Sequence, residues 1–400
     1  MGGRAILLVG TVAIMILLDQ PYVSLLLQQT IRKHEFPVVA TVAARAFDVA
    51  SMPSAISEQV AVAHAMAVPD PLLYCVSESS IAWIAEHLAA TGLPEQLQRF
   101  KNKTWFRERT TSLCPGLRYR EIALAELDAF DVADFAPPFV IKPAVGFFSL
   151  GVRSVDSAAA WPAARTAIKA DLASASSLFP GEVLDTSRLL LESYIRGREF
   201  AVDAYFDANG QPVVLGILEH RFVGASDMSD RVYVTSAEIV RANLDRFTEF
   251  LLRMGECIPV RNFAMHVELR VDEEGAMTPI EVNPGRFGGW CTTADLTHHA
   301  FGINPYACFL RGERPNWTEA LRGHRAEQFG LIALGNTTGI EGHDIEAFDY
   351  NGLCRRFACV LEMRKVDFRR YPIFGFVFTK TLDPSEFAWA LQADLREFVS

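Results

Sequence analysis

The chain has 400 residues, half of them hydrophobic and 22% charged, which is enough to bury a sizeable core in two or three domains and too apolar for a disordered polymer. Its 38 basic against 48 acidic side chains leave a net charge of −10 and argue against nucleic acid or an anionic membrane as the main partner. Seven cysteines (75, 114, 257, 291, 308, 354 and 359), scattered and without CxxC or Cys/His spacing, read as reduced thiols of a cytosol, with neither a structural zinc nor a disulfide frame.

The chain opens on an apolar run, Ala5–Leu18, that follows Arg4 as the h-region of a signal peptide would. The run is too short to span a bilayer, no small-residue cleavage site follows, and Gly10-Thr11 divides it, so it reads as a cytoplasmic first strand, AILLVGT, with an apolar segment behind it. A helical spacing over Tyr22–Arg32, a strand PVVATVA, a strand LLYCVSE and a helix from Ser80 to Ala90 continue the alternation, which predicts a parallel α/β layer over residues 1–98. Gly92-Leu93-Pro94 breaks the pattern, and the segment after it, QRFKNKTWFRERTTSL, predicts a helix dense in positive charge.

Next come a strand PFVIKPAV, a helix around Ser157–Ala175, a buried-looking strand LLLESYI, and a hairpin of Phe200–Phe206 with Pro212–Phe222 about an Asn209-Gly210 turn. Lys142 sits where the PFVIKPAV strand opens into a loop holding Gly146, Ser149 and Gly151; such a lysine neutralises phosphate while loop amides and the Ser149 hydroxyl donate to it. Taken alone, this segment reads by default as a structural turn with one exposed lysine, since no Walker ending follows. A helix over Ala242–Met254 leads to a second hairpin, and a helical stretch His298–Arg311 precedes a small α+β part of residues 313–400. That part carries strands FGLIALGN, FACVLEM and FGFVFTK and a closing amphipathic helix, PSEFAWALQADLREFV. The apolar N-terminal part and the aromatic tail are compatible with a homodimer.

The second hairpin, Phe263–Val271 with Thr278–Asn283 about Asp272-Glu273-Glu274-Gly275, is the most informative segment. A turn centred between Glu274 and Gly275 pairs Glu268 with Glu281, His266 with Asn283, Val267 with Val282 and Leu269 with Ile280, so one face is apolar and the other holds charge. Directly opposed carboxylates stand roughly 4.5–5.5 Å apart at Cβ and repel. With the amide oxygen of Asn283 they form an all-oxygen set that suits Mg²⁺ or Mn²⁺, usually completed by substrate phosphates. The competing account is a solvated acidic hairpin whose register is shifted by a bulge. His266 is read as a hydrogen-bonded structural residue, and the adjacent His298 and His299 cannot share a helix face as paired metal ligands.

The succession of basic helix, FVIKP strand and loop, LLLESYIRGREF and acidic hairpin with IEVNPGRFGG resembles the ATP-grasp superfamily of carboxylate-amine ligases over roughly residues 98–312. The resemblance implies an α/β and α+β multidomain protein. It would have an N-terminal parallel α/β domain (1–98), an ATP-grasp fold of two α+β subdomains gripping the nucleotide (99–312) and a small C-terminal α+β cap (313–400). It also implies roles. Lys103 and Lys142 would reach the phosphates, Glu192, Tyr194 and Ile195 would meet adenine, and Glu199 would hold the ribose hydroxyls. Glu268, Glu281 and Asn283 would ligate Mg²⁺, and Arg286 would grip the substrate carboxylate or its acyl phosphate.

Two details depart from the family pattern: Pro284-Gly285 pushes Arg286 further from Asn283, and Phe147-Phe148 stand where other branches are richer in glycine. The combination of SLG in the loop with RFGG is similar to the amino-acid ligase branch. The activity so implied is ATP-dependent, ADP-forming amide synthesis from a carboxylate and an amine, with amino acids as substrates. A kinase use of the same fold, or a regulatory module that binds ATP without turnover, are the alternatives.

Overall fold

The structure is a computed structural model that describes residues 13–47, 52, 54–146, 151–175, 185–224, 227 and 229–400. The expected strand Ala5–Thr11 lies outside the described residues. The first described strand is Ile14–Leu17, in the apolar segment behind Gly10-Thr11.

A large sheet carries most of the molecule. From one edge its strands run Val360–Lys365, Ile373–Thr381, Gln328–Gly335, Val232–Ser236, Pro212–Arg221, Arg198–Phe206, Phe263–Val271, Leu72–Cys75, Ile14–Leu17, Val38–Val39 and Ala55–Ile56. The four N-terminal strands pair in parallel, as the strand–helix alternation predicts, while the ladders from Phe263–Val271 outward are antiparallel. Segments 1–98, 99–312 and 313–400 therefore all contribute strands to one sheet.

The junction between the parallel and antiparallel parts fixes the site. The Phe263–Val271 strand shares one edge between two partners: Phe263 pairs with Leu73, and from Met265 onward the partner is the strand Met277–Pro284. Gly285 makes the handover. Its N–H donates to the Ala264 carbonyl at 2.8 Å, and its own carbonyl accepts from the Cys75 N–H at 2.8 Å. Its φ of 76° is open to glycine at no cost, and a Cβ would stand 3.3 Å from Leu97. The end of the acidic hairpin is thereby stitched to the carboxyl end of the parallel layer.

A second, four-stranded antiparallel sheet has the order Tyr119–Ala123, Asp185–Ser193, Phe139–Val145, Arg153–Val155. Ala164, Ile168 and Leu172 of the helix Trp161–Ala175 recur every four residues and bury one stripe against Phe139, Ile141, Leu189 and Leu191. On the large sheet the helix Ala237–Cys257 starts at Ser236, whose hydroxyl accepts from Ile239 N–H, and it buries Val240, Phe247, Leu251 and Met254.

Several elements differ from the sequence reading. The strand PVVATVA shrinks to Val38–Val39, because Thr41 turns the chain by accepting the Ala44 N–H and a 3₁₀ turn, Ala44–Phe47, follows. The basic segment is two helices, Leu93–Lys101 and Lys103–Thr110, since Asn102 ends the first and caps the second by accepting the Trp105 N–H. His298–Arg311 is likewise divided: Gly302 closes Thr292–Phe301 in a left-handed conformation, and Asn304-Pro305 starts Pro305–Arg311. The closing helix stops at Gln392 and gives way to a 3₁₀ turn, Leu395–Phe398, capped by Asp394. Among the described residues no helix is long and apolar enough to cross a membrane.

Gly197, between the two sheets, has φ 114°, and a Cβ there would meet the Val271 carbonyl oxygen at 2.1 Å, a backbone atom of the acidic hairpin. Gly197→Ala should cost more than the about 1–3 kcal/mol of the backbone conformation alone, read as a lowered urea midpoint at an unchanged slope.

Candidate active site

The acidic hairpin places Glu268 opposite Glu281, His266 opposite Asn283 and Val267 opposite Val282, as its sequence predicts. Beyond the acids the register shifts: Leu269 pairs with Pro279, where pairing with Ile280 was expected. Ile280 is the extra residue of a bulge, and its carbonyl accepts instead from Arg107 Nη2 at 3.0 Å. The bulge begins after the acid pair and leaves it intact. Val267 and Val282 are buried, whereas the Glu268 and Glu281 side chains remain 23% and 22% exposed into a cleft between the two sheets.

Charge is arranged around the pair with different partners on each side. Burial raises the Glu281 carboxyl, but Lys103, whose Nζ stands 3.1 Å from Glu281 Oε2, and then Lys101 and Lys142 outweigh it and hold the group well below the ordinary range. Glu268 moves the other way: burial and the facing Glu281 push it up, and His266 only partly offsets them. His266 Nδ1 is 2.7 Å from Asp203 and its Nε2 is 3.6 Å from Glu268. Burial disfavours its charge, yet the bond to Asp203 and the nearness of Glu268 lift its pKa to about 9, so an imidazolium lies between two acids. Asn283 is buried and donates from Nδ2 to Glu281 Oε1 at 3.3 Å. The residues fit a hard divalent cation, because two opposed acids that now depend on His266 and Lys103 for neutralisation stand beside a buried amide.

The basic side of the cleft is built by the two basic helices and the Phe139–Val145 strand. Lys103 is the first residue of its helix, and both its Nζ and that of Lys101 donate to the Gly146 carbonyl, at 3.2 and 3.0 Å. Residues 147–150 after Gly146, including Phe147, Phe148 and Ser149 of the expected phosphate loop, lie outside the described residues. Lys142 Nζ is 2.6 Å from Glu192 Oε2, and Arg107 holds the other oxygen of Glu192 in a buried ion pair. Burial would raise the Glu192 carboxyl, but Arg107 and then Lys142 bring it down to about 2. The Glu192 carboxylate thus positions Lys142.

At the far end of the cleft three opposed residues on adjacent strands form a charged row, Arg270–Glu199–His220. Glu199 accepts from Arg270 Nε at 2.9 Å and lies 2.8 Å from His220 Nδ1. Arg270 also donates to the Ile195 carbonyl at 2.6 Å and stacks over the Tyr194 ring at 5.3 Å. It thereby gathers Tyr194, Ile195 and Glu199 into one corner.

One cleft therefore collects Lys103, Lys142, Glu192, Tyr194, Ile195, Glu199, Glu268 and Glu281. Asn283 joins through Glu281. Arg286 stands to one side: it donates to the Phe287 carbonyl at 2.8 Å and to Glu78 Oε1 at 2.7 Å, and Glu78 is shared with Lys101 in a buried ion pair. Glu78, Lys101 and Arg107 were not foreseen. The available signal was the position of Glu78 just past the end of a parallel strand, where open α/β sheets place ligand-binding groups. The neighbouring histidines are spent separately, His299 lying 3.0 Å from Glu362.

Residues 135–294 match the family model described as an ATP-grasp domain. No curated protein matches the sequence. Among solved structures, an L-amino acid ligase from Bacillus licheniformis superimposes with a TM-score of 0.63 at 16% identity, covering 97% of this chain and 98% of that one. An N5-carboxyaminoimidazole ribonucleotide synthetase from Thermotoga maritima gives 0.62 at 13%, covering 97% and 99%. A biotin carboxylase from Campylobacter jejuni gives 0.62 at 12%, covering 94% and 89%.

Because Glu192 neutralises two buried cations, Glu192→Ala should destabilise the fold by about 3–5 kcal/mol. Its folded pKa lies below the ordinary 4.5, so the stabilisation it gives is complete above that pH and is lost as pH falls toward about 2. Urea unfolding from pH 7 to 3 should show the gap between wild type and Glu192→Gln constant down to about pH 5 and narrowing below it.

Proposed function

We propose that this chain, which carries an ATP-grasp domain within the fold of the ATP-grasp ligases, is an ATP-dependent, ADP-forming carboxylate-amine ligase that joins amino acids. The observation that carries the reading is the facing pair Glu268 and Glu281, set in the same cleft as the two buried lysines 103 and 142.

A carboxylate oxygen of the first substrate attacks the γ-phosphorus of ATP, and the bond to the β-phosphate oxygen breaks with its electron pair leaving on ADP. The nitrogen of the second substrate then attacks the acyl carbon; the C–N bond forms, the C–O bond to phosphate breaks, and the amine gives up a proton. Neither step needs a protein nucleophile. Both need charge neutralised and atoms aligned, which is the work that ion pairs on a rigid sheet can do.

Glu268, Glu281 and Asn283 would hold Mg²⁺ or Mn²⁺, which when bound would supply positive charge against that of the phosphates. Lys103 neutralises Glu281 in the structure described, and its ammonium would stand beside the phosphates. Lys142 is held in place by Glu192 with its stem along the Phe139–Val145 strand. Glu199 and Arg270, with Tyr194 and Ile195, form the nucleoside end. Arg286 grips the carboxylate or acyl phosphate from the side where Glu78 steadies it. The SLG and RFGG segments, similar to those of the amino-acid ligase branch, support amino acids as substrates, and the thiol-rich, acidic composition supports a cytoplasmic setting.

The test is product analysis with pairs of amino acids. Release of ADP and phosphate that requires both partners, with an amide in the product, is the expected result. AMP with pyrophosphate contradicts the mechanism, a phosphoester indicates a kinase, and tight ATP binding without turnover indicates a regulatory module. Glu281→Gln should lower turnover by at least about a hundredfold at unchanged thermal stability.

A further inference from the structure

A second cavity of about 310 Å³ shares no lining residue with the cleft; it is at the lower end of the range for small-molecule sites and therefore sized for a single small metabolite. Four separate stretches of the chain wall it. Tyr22 comes from the loop after the Ile14–Leu17 strand, Phe47 from the next βα connection, Trp290 from the turn four residues beyond Arg286, and Tyr371 from the C-terminal part. It therefore opens at the carboxyl ends of the parallel strands, on the side of the molecule where Glu78 holds Arg286.

The walls are fixed. Trp290 and Cys291 are consecutive non-glycine residues in the left-handed region, at φ 58° and 60°, a conformation a tryptophan keeps only when its surroundings impose it. Arg364 imposes it here, donating from Nη1 to the Trp290 carbonyl at 2.8 Å. The same guanidinium lies 4.4 Å from the centre of the Tyr22 ring and is neutralised by Asp295 and Glu362. Trp290 meets Tyr371 edge to face at 5.6 Å.

The rim carries two exposed cations whose charges, among the described residues, meet only rings: Lys365 over Tyr350 at 4.7 Å and Arg370 over Tyr371 at 5.4 Å. The one acid in the lining, Asp367, accepts the Arg369 N–H of its own turn at 3.2 Å. Aromatic walls with uncommitted positive charge at the mouth match a ligand that has a flat apolar body and a carboxylate.

We infer that this cavity binds the amine-bearing substrate, an α-amino acid with an aromatic side chain, holding its ring among Tyr22, Phe47, Trp290 and Tyr371 and its carboxylate at Arg370 and Lys365. The inference rests on the ligase reading for the order of events. A carboxylate neutralised at the rim is kept away from the γ-phosphate, so this substrate contributes only its nitrogen. The C–N bond forms at that nitrogen, phosphate departs from the acyl carbon, and the product ends in an aromatic residue with a free carboxyl group.

The experiment is calorimetric titration of the full chain, with and without a non-hydrolysable ATP analogue, using L-phenylalanine, L-alanine and phenethylamine, which lacks the carboxylate. L-phenylalanine should bind at least about tenfold more tightly than either of the others. Arg370→Ala, at an exposed position, should weaken it about tenfold. Trp290→Gly, which suits the left-handed backbone and so keeps the fold, should erase the preference for phenylalanine over alanine. Equal binding of phenethylamine, unchanged affinity in both variants, or binding of none of the three overturns the assignment. So does a mass spectrum placing phenylalanine at the activated, carboxyl-donating end of the product. Because binding is read without turnover, selective phenylalanine binding in a protein that makes no ADP refutes the ligase reading and not the cavity, whereas amide synthesis without aromatic preference refutes the cavity alone.

Discussion

Glu268 and Glu281 occupy directly opposed positions on a hairpin whose other face buries Val267 and Val282, so neither acid can turn away without carrying an apolar neighbour out of the core. Unit charges about 4–5 Å apart repel by roughly 3–4 kcal/mol at the effective dielectric of a partly buried site. The surroundings are organised to offset that repulsion. Lys103 and the lysines near it keep Glu281 ionised, while the His266 imidazolium, itself held by Asp203, stands against Glu268. An arrangement that repels itself and is balanced by neighbouring side chains is the basis on which we propose a divalent cation there.

The frame around it is held by a second kind of electrostatics, ion pairs that are buried. Glu192 with Arg107 and Lys142, Glu78 with Lys101 and Arg286, and Asp295 with Arg364 each tie together segments far apart in sequence. Such pairs add little net stability compared with apolar packing, but breaking one strands a charge, so they fix geometry firmly. Gly285 does the corresponding work in the backbone by handing the edge of the Phe263–Val271 strand from Leu72–Cys75 to the acidic hairpin. Arg286 and Trp290 follow within five residues, which places the acids, the guanidinium and one wall of the aromatic cavity on one continuous stretch of chain.

Much of this was legible in the sequence where a local rule suffices. Period-two alternation and a polar turn gave the register of Glu268, Glu281, His266 and Asn283, and the strand–helix alternation gave the parallel layer. The register failed at Leu269 and Ile280, because the bulge satisfies Arg107, a residue 173 positions away that no local pattern reveals. The same limit hid Glu78: its neighbours Lys101 and Arg286 come from a helix and a turn that only the folded sheet brings to it. Helix ends at Asn102 and Gly302 were written in capping residues that periodicity alone passes over.

The most direct measurement is electron paramagnetic resonance of Mn²⁺ titrated into the protein with a non-hydrolysable ATP analogue, for the wild type and for Glu268→Gln, Glu281→Gln and the double variant. The account predicts a nucleotide-dependent bound Mn²⁺ signal in the wild type that weakens at least about tenfold in each single variant and vanishes in the double one. A bound signal of equal strength in the double variant would contradict it, because the facing acids would then have no cation to hold.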